Sequence, residues 1–514
     1  MLFSSISSAP FFTSDSVLHI VQEVNNMDYN DIAHLLCIAD PDALITSFTS
    51  DEKTMTEFAF IDKKTHEMYC PSCGLRMHSK GVRIKRINHP ALQTGYKLTL
   101  IVTVRKWVCK QCGRYDHDHY SFVEDGKRNT SLVPFLVMQK LKRLEVTARQ
   151  VAEELNVSDT YVFETFMRNV SLPRLPFPEI LSIDEVYMKF DESNLYGLTL
   201  MDFRTGQIID ILPNRYKETY EDYFLHIPLE ERKKVKILVS DIYKPYLKMP
   251  SGYFPEAESV IDSFHVVSLI TSRIKRYVTS VKNRYKERDA KRLEEKNYRN
   301  NSSYKTMKKS WEVKLIERYD WFLLKNQDDI DYSPRTIKAR GRLIYFNPRE
   351  KEKELFSLDP NFEEIRNMKE RYVEFNKRNI NDIEGAEKEL REIIEEYESS
   401  HLGMYREIAK TLKSHIPEIA KSFTYIAANS KYQENTELLR RISNGPMEGF
   451  NVKPKNLKRI SRGLSNFEYA RNRILWATRE DPHILAVPHS RKEIHKYTGK
   501  KRGKYKKPSS KSGE

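Results

Sequence analysis

A chain of 514 residues is too long for a single hydrophobic core, so length alone predicts several domains. Hydrophobic residues make up 39% and charged residues 31%, with no run near the roughly 18 apolar residues of a membrane helix. That composition argues against a helical membrane protein and fits a soluble one. The net charge of +15, from 87 Lys and Arg against 72 Asp and Glu, favours a polyanionic partner; a generally lysine-rich proteome is the bland alternative.

Residues 1–67 form an N-terminal segment of unknown role. It has no basic start or long apolar stretch, which predicts a cytoplasmic protein. Short helices over 28–36 and 42–48 and a strand over 56–61 are expected there. Cys37 reads as a small buried hydrophobe.

Residues 68–125 carry the other four of the five cysteines, in Cys70-Pro71-Ser72-Cys73-Gly74 and Cys109-Lys110-Gln111-Cys112-Gly113. Two C-x-x-C knuckles flanking a strand over 97–104 predict tetrahedral sulfur coordination of one structural Zn²⁺, in an enlarged zinc ribbon. A redox dithiol and plain buried cysteines are the alternatives. Gly74 and Gly113 stand where the chain must turn sharply.

Residues 128–172 have a helical pattern. Thr147 caps a helix over 148–155, Asn156-Val157 turn, and Ser158 caps a second helix over 159–169. This predicts a helix-turn-helix DNA-binding domain whose second helix enters the major groove, with Ser158, Asp159, Thr160 and Tyr161 as base-reading candidates. An ordinary αα-hairpin is the alternative.

A Pro-rich linker, Leu172 to Pro178, then marks a boundary. Over 179–265 the pattern predicts three antiparallel strands (180–188, 195–201 and 207–212), a helix over 218–229, and a strand over 235–241 ending on Asp241. A helix over 244–249 and a strand over 259–265 leading into a helix follow. That order describes the first part of a ribonuclease-H-like α/β core. Residues 266–430 read as a charged α-helical insertion, 431–480 as the second part of the core, and 481–514 as a basic disordered tail. From Arg491 the tail carries ten Lys or Arg against two Glu.

Asp184 and Asp241 lie on strands adjacent in such a fold, and Glu448 enters from the first turn of a helix after Asn444-Gly445-Pro446. Three convergent carboxylates suit two Mg²⁺ (or Mn²⁺) ions about 4 Å apart, which serve phosphodiester cleavage. Without metal they would repel one another. One such Asp taken alone reads equally well as a cap or turn residue.

Leu181 to Glu185, Val239-Ser240-Asp241, Ile261 to His265 and Ser443 to Phe450 resemble the catalytic blocks of DDE transposases, and more narrowly the ISL-three-like family of bacterial insertion sequences. The similarity continues through Lys455 to Gly463 and Asn466 to Leu475, and spans about Met68 to Trp476. It implies a catalytic triad of Asp184, Asp241 and Glu448, zinc ligands Cys70, Cys73, Cys109 and Cys112, and an auxiliary role for Asp262 and His265, with packing and capping as the alternative. Pro454 departs from the family pattern and predicts an early break in the Glu448 helix. The basic residues Lys453, Lys455, Lys458, Arg459, Arg462, Arg471 and Arg473 are candidate phosphate contacts, with a solvated helix face as the alternative.

The expectation is a nucleoid-associated DNA transposase that binds terminal inverted repeats and target DNA. It would act as a homodimer or larger synaptic complex. An inactive DNA-binding regulator and a structure-selective nuclease are the rivals. The chain has no G-x-x-x-x-G-K-[ST] phosphate loop, so ATP-driven remodelling is not supported.

Overall fold

The computed structural model describes residues 29–92, 95–190, 194–303, 309–339, 341–379, 381–429, 437–461, 464 and 466–495. The chain divides into two compact units, Met1–Leu172 with Asn456–Glu514, and Pro173–Lys455.

The first unit opens with α1 (Tyr29–Leu35) and strands β1 (Ala43–Asp51), β2 (Thr56–Lys63), β3 (His78–His89), β4 (Lys97–Val108) and β5 (Tyr115–His117). They form one sheet in the order β1-β2-β4-β3, with β5 also on β4. The β2–β4 pair is parallel and the others are antiparallel. Residues 43–51 are therefore a strand where a helix was expected. Ile45 opposite Ile61 and Phe48 opposite Ala59 pack with Leu98, Leu100 and Val102, so tertiary burial overrides a weak local preference. Residues before 68 thus share a sheet with the cysteine knuckles. Cys37 is exposed, contrary to expectation, in a left-handed backbone position (φ 53°) beyond the end of α1.

Three helices follow: α2 (Leu132–Lys140), α3 (Ala148–Glu154) and α4 (Asp159–Asn169). Thr147 and Gln150 form a reciprocal capping box at α3, and Ser158 Oγ accepts from Tyr161 N at α4. Asn156 takes φ 51° in the turn between them. Val151, Ala152, Leu155, Val162 and Phe166 are buried. Asn88 Nδ2 donates to Leu155 O at 3.0 Å, tying the sheet to this helical pair.

The second unit is built on β6 (Ile180–Tyr187), β7 (Tyr196–Asp202), β8 (Ile208–Leu212), β9 (Ile237–Ser240) and β10 (Glu258–Ile261), in the order β10-β9-β6-β7-β8. β6, β7 and β8 are antiparallel in succession, and β9 and β10 run parallel to β6. This is the ribonuclease-H-like sheet topology. The helix expected over 218–229 is two, α5 (Lys217–Leu225) and α6 (Leu229–Arg232), because Pro228 cannot continue a helix and caps the next one. Short helices α7 (Lys244–Leu247) and α8 (Met249–Tyr253) precede β10.

From β10 the chain enters the 37-residue α9 (Ser263–Arg299). Next come α10 (Trp311–Tyr319), α11 (Trp321–Leu324), the hairpin β11 (Arg335–Ala339) and β12 (Arg342–Phe346), and α12 (Pro348–Phe356). α13 (Phe362–Arg378), α14 (Ile383–Ser399), α15 (Gly403–Lys413) and α16 (Ile416–Ala420) complete this helical body. Its core is one large cluster, to which α14 contributes Ala386, Leu390, Ile393, Ile394 and Tyr397, a single helical stripe.

A hairpin that the sequence did not suggest, β13 (Tyr425–Asn429) and β14 (Glu437–Arg441), packs Ala428 with Ile180, Val239 and Val260 of the main sheet. It leads to α17 (Gly445–Ile460), which continues through Pro454 instead of breaking there. Met447, Phe450, Asn451, Pro454 and Leu457 share its buried face, so packing offsets the one backbone hydrogen bond that proline removes.

The remaining helices, α18 (Phe467–Thr478) and α19 (Arg491–His495), belong to the first unit, not to a second part of the catalytic core. Tyr469 of α18 packs on Phe163 and Phe166 of α4, and Trp476 Nε1 donates to Met138 O at 3.0 Å. The expected tail is ordered as far as His495. Leu485 N and His489 N donate to backbone carbonyls of α4, Arg491 pairs with Glu164 at 2.7 Å, and Ile494 is buried. Residues 496–514 lie outside the described residues. Among the described residues no helix is long and apolar enough to cross a membrane.

Candidate active site

Parallel pairing of Ser182 with Val239 and of Ile261 with Ser240 brings the C-terminal ends of β6, β9 and β10 side by side. Two residues beyond Ser182 and Val239, Asp184 and Asp241 fall in matching register and on one face of the sheet. Asp262 follows β10 directly, and its amide donates to Ser240 O at 3.2 Å. His265 stands in the first turn of α9. Glu448 comes from the first turn of α17, where its amide donates to Asn444 O.

These side chains form two groups that share His265. Ligand atoms of Asp184, Asp241 and His265 lie within 4.8 Å of one another, as do those of Asp262, His265 and Glu448. His265 Nε2 is 2.5 Å from Asp241 Oδ1, without the alignment of a hydrogen bond, and 3.8 Å from Asp262 Oδ2. Asp262 is 1% exposed, and among the described residues neither of its carboxylate oxygens has a well-formed hydrogen bond. A buried carboxylate left so is costly unless a cation completes it.

The electrostatics follow from crowding. Burial, and then the charge of Asp241, raise the Asp184 pKa to about 6. Burial likewise raises Asp262 and Glu448, with Asp262 adding to the effect on Glu448. Burial alone would lower His265, but the contact with Asp241 and the charges of Asp262 and Asp184 outweigh it and raise the pKa. Carboxylates pushed toward protonation first by burial and then by neighbouring acids, as Asp184, Asp262 and Glu448 are, suit a site for divalent cations.

Two asparagines missed by the sequence reading hold this arrangement. Asn444 Nδ2 donates to Ile183 O at 3.0 Å, pinning the start of α17 to β6. Asn451 Nδ2 donates to Asp184 Oδ2 at 2.7 Å, and Asn451 is 2% exposed. Its position three residues after Glu448 puts both on one helix face, a spacing that could have flagged it.

The predicted thiolate set also comes together. All four Sγ atoms of Cys70, Cys73, Cys109 and Cys112 lie within 4.8 Å of one another, with Cys70–Cys112 at 3.5 Å and Cys73–Cys109 at 3.4 Å. The two knuckles match: Gly74 N donates to Cys70 O, Gly113 N to Cys109 O, and both glycines take φ 71°. Backbone N–H groups of Ser72 and Cys112 lower the Cys70 and Cys109 pKa values, Cys70 to about 6. Cys73 and Cys112 also face N–H groups, of Leu75 and Arg114, yet neighbouring sulfurs push them up, Cys73 to about 12.

The DNA-reading candidates separate by exposure. Asp159 and Thr160 are exposed, Ser158 is exposed but engaged as a cap, and Tyr161 is half-buried. Lys453, Lys455 and Arg459 are exposed and Lys458 half-buried, whereas Arg462 lies outside the described residues. Arg471 Nη1 donates to Leu172 O at 2.9 Å. Arg473 is a correction: it is 1% exposed and donates to Arg143 O and Val146 O, so its charge serves packing and is closed to a phosphate.

Comparison with known proteins adds the lineage. A family model described as a transposase, for DDE enzymes of the ISL3 type, matches residues 181–474, an interval that holds every member of the carboxylate–histidine cluster. The transposase for insertion sequence element IS1001 of Bordetella parapertussis is 24% identical over 269 residues, 51% of this chain and 60% of that protein. The match thus leaves a substantial part of that relative's length uncovered. On the extent of the family match, the chain belongs to the ISL3-type family of DDE transposases.

Proposed function

We propose that the protein is the transposase of an insertion sequence, binding terminal inverted repeats and catalysing metal-dependent strand cleavage and strand transfer. The observation that carries this reading is the convergence of Asp184, Asp241 and Glu448 from three separate chain segments beside His265 and Asp262. The donor set fits hard divalent cations, being mostly carboxylate oxygen, and the buried Asp262 carboxylate, without a well-formed hydrogen bond, favours a cation there. Asp184, Asp241 and Glu448 would hold two Mg²⁺ or Mn²⁺. Bound there, the ions would activate a water or a 3′-hydroxyl and stabilise the departing oxygen. Asn451 fixes the Asp184 carboxylate, Asn444 fixes the helix that carries Glu448, and His265 offsets negative charge between Asp241 and Asp262. Hydrolysis at an element end leaves a 3′-hydroxyl, whose oxygen then attacks a target phosphorus as the target strand's P–O bond breaks.

The remaining assignments rest on the first unit. Four mutually close thiolates suit one structural Zn²⁺ in a ribbon, since soft sulfur donors at such spacing select zinc. The capped pair α3 and α4 is read as a DNA-binding helix-turn-helix, with Asp159 and Thr160 offered to base edges and Ser158 and Tyr161 at their flank. Lys453, Lys455, Lys458 and Arg459 are proposed phosphate contacts. A dimer or larger synaptic assembly, acting on DNA in the cytoplasm, follows from the need to join two ends.

The test is cleavage of DNA carrying the element's own terminal repeats by purified protein with Mg²⁺. Asp184→Asn, Asp241→Asn and Glu448→Gln should each lower cleavage by roughly a thousand-fold or more while leaving end binding intact. Full cleavage by any of the three would remove that residue from the site. Cutting that ignores the repeat sequence would support the nuclease reading instead.

A further inference from the structure

Beyond the second cysteine knuckle, the strand β5 and the loop after it gather Asp116, His117, His119 and Asp125, none of which has a part in the proposed transposition chemistry. Ligand atoms of Asp116, His117 and His119 lie within 4.8 Å of one another. His119 Nε2 is 3.0 Å from Asp116 Oδ1, and its other nitrogen, Nδ1, is 2.9 Å from Asp125 Oδ2. The second oxygen of Asp125 is 3.0 Å from His117 Nε2. The two rings lie 4.4 Å apart. The nearby Asp118 is excluded from the group, because it accepts from Arg105 N and from Trp107 Nε1, both at 2.7 Å.

We propose that Asp116, His117 and His119 form a second zinc site, separate from the cysteine set, with Asp125 as the carboxylate that orients both imidazoles. The argument starts from His119. A neutral imidazole has one N–H and one lone pair, yet both nitrogens of His119 face carboxylates, so one contact requires a cation. Asp125 takes one nitrogen from each ring. This leaves His119 Nε2, beside Asp116 Oδ1, for a metal, with His117 as the third member of the group, in the way that metal-bound histidines donate their second N–H to a carboxylate. Tetrahedral zinc with bonds near 2.0–2.1 Å needs ligand atoms about 3.3 Å apart. The 3.0 Å between His119 Nε2 and Asp116 Oδ1 is a few tenths short of that, within the reach of small side-chain adjustments. Three protein ligands leave a fourth position for water. Bound zinc would tie β5 to the loop that leads toward the helical pair. Plain histidine–carboxylate ion pairs are the competing account, and they require a proton where the proposal requires a metal.

The test is zinc content per chain of the full-length protein, dialysed in excess Mg²⁺ to keep the carboxylate cluster occupied, for wild type and for His117→Ala/His119→Ala. Wild type should retain one zinc more per chain than the double variant. Cobalt substitution in both proteins should give thiolate-to-cobalt absorption of equal intensity, showing that the cysteine set is intact in the variant. If the double variant loses that absorption, His119→Gln takes its place in the same comparison. Equal zinc content in wild type and a variant with an intact cysteine set overturns the proposal.

Discussion

Arg473 reads as one more cation in a basic stretch, but its guanidinium is buried and serves the carbonyls of Arg143 and Val146. Burial lowers its pKa from the ordinary arginine value, and Tyr469 and the charge of Glu145 oppose this only in part. Removing it takes the charged donor from the Val146 carbonyl and from the Arg143 carbonyl, which retains Val146 N as a donor, so Arg473→Met should destabilise the protein by about 1–3 kcal/mol in urea unfolding. Its effect on DNA binding should vanish wherever the variant is fully folded; weaker binding by a fully folded variant would restore a direct phosphate role. His89 makes a second residue-scale case. It is buried, with Nδ1 2.9 Å from Thr130 Oγ1 and Nε2 2.8 Å from Leu36 O. Burial lowers its pKa to about 4, below the roughly 6.5 of an unfolded imidazole. The unfolded chain therefore takes the proton first. Stability is complete above pH about 6.5 and falls toward pH about 4, by about 3 kcal/mol in all. Unfolding free energies across that interval should show the loss, and His89→Gln should flatten it. An unchanged slope in His89→Gln would assign the acid sensitivity elsewhere.

At the scale of elements, α17 decides how Glu448 is presented. Its buried stripe includes Pro454, so the helix holds its line to Ile460 despite the missing amide. Pro454→Ala should accordingly change DNA cleavage less than about three-fold, whereas a gain of ten-fold or more would mean that the proline does distort the site. Capped and strongly patterned elements were legible in the sequence: α4 starts after Ser158 as its cap predicts, β6 carries Asp184, and β9 ends one residue before Asp241, where the apolar run predicts a strand. Elements fixed by distant partners were not. β1 is a strand because β2 pairs with it, and the hairpin β13–β14 packs on a sheet formed more than 150 residues earlier in the chain. α18 looked like catalytic core in sequence but docks on α4 through Tyr469, on α2 through Trp476 and on the segment before α3 through Arg473. The blocks that carry Asp184, Asp241 and Glu448 could be picked out in the sequence, but Asn451 could not, because a single asparagine signals nothing until the helix sets it against Asp184.

For the whole molecule, the family match places the chain among the DDE transposases, and the +15 charge suits the polyanionic partner proposed for it. In the proposed reaction the cluster around Asp184 does the cutting. The most direct measurement is excision, with Mg²⁺ present, of a marked DNA segment flanked by the DNA that neighbours this gene, comparing wild type with Asp184→Ala. Excision by wild type that disappears in the variant, with end binding unchanged, is the result expected. Excision that persists in Asp184→Ala, or its absence from a wild-type protein that binds the ends, would contradict the account.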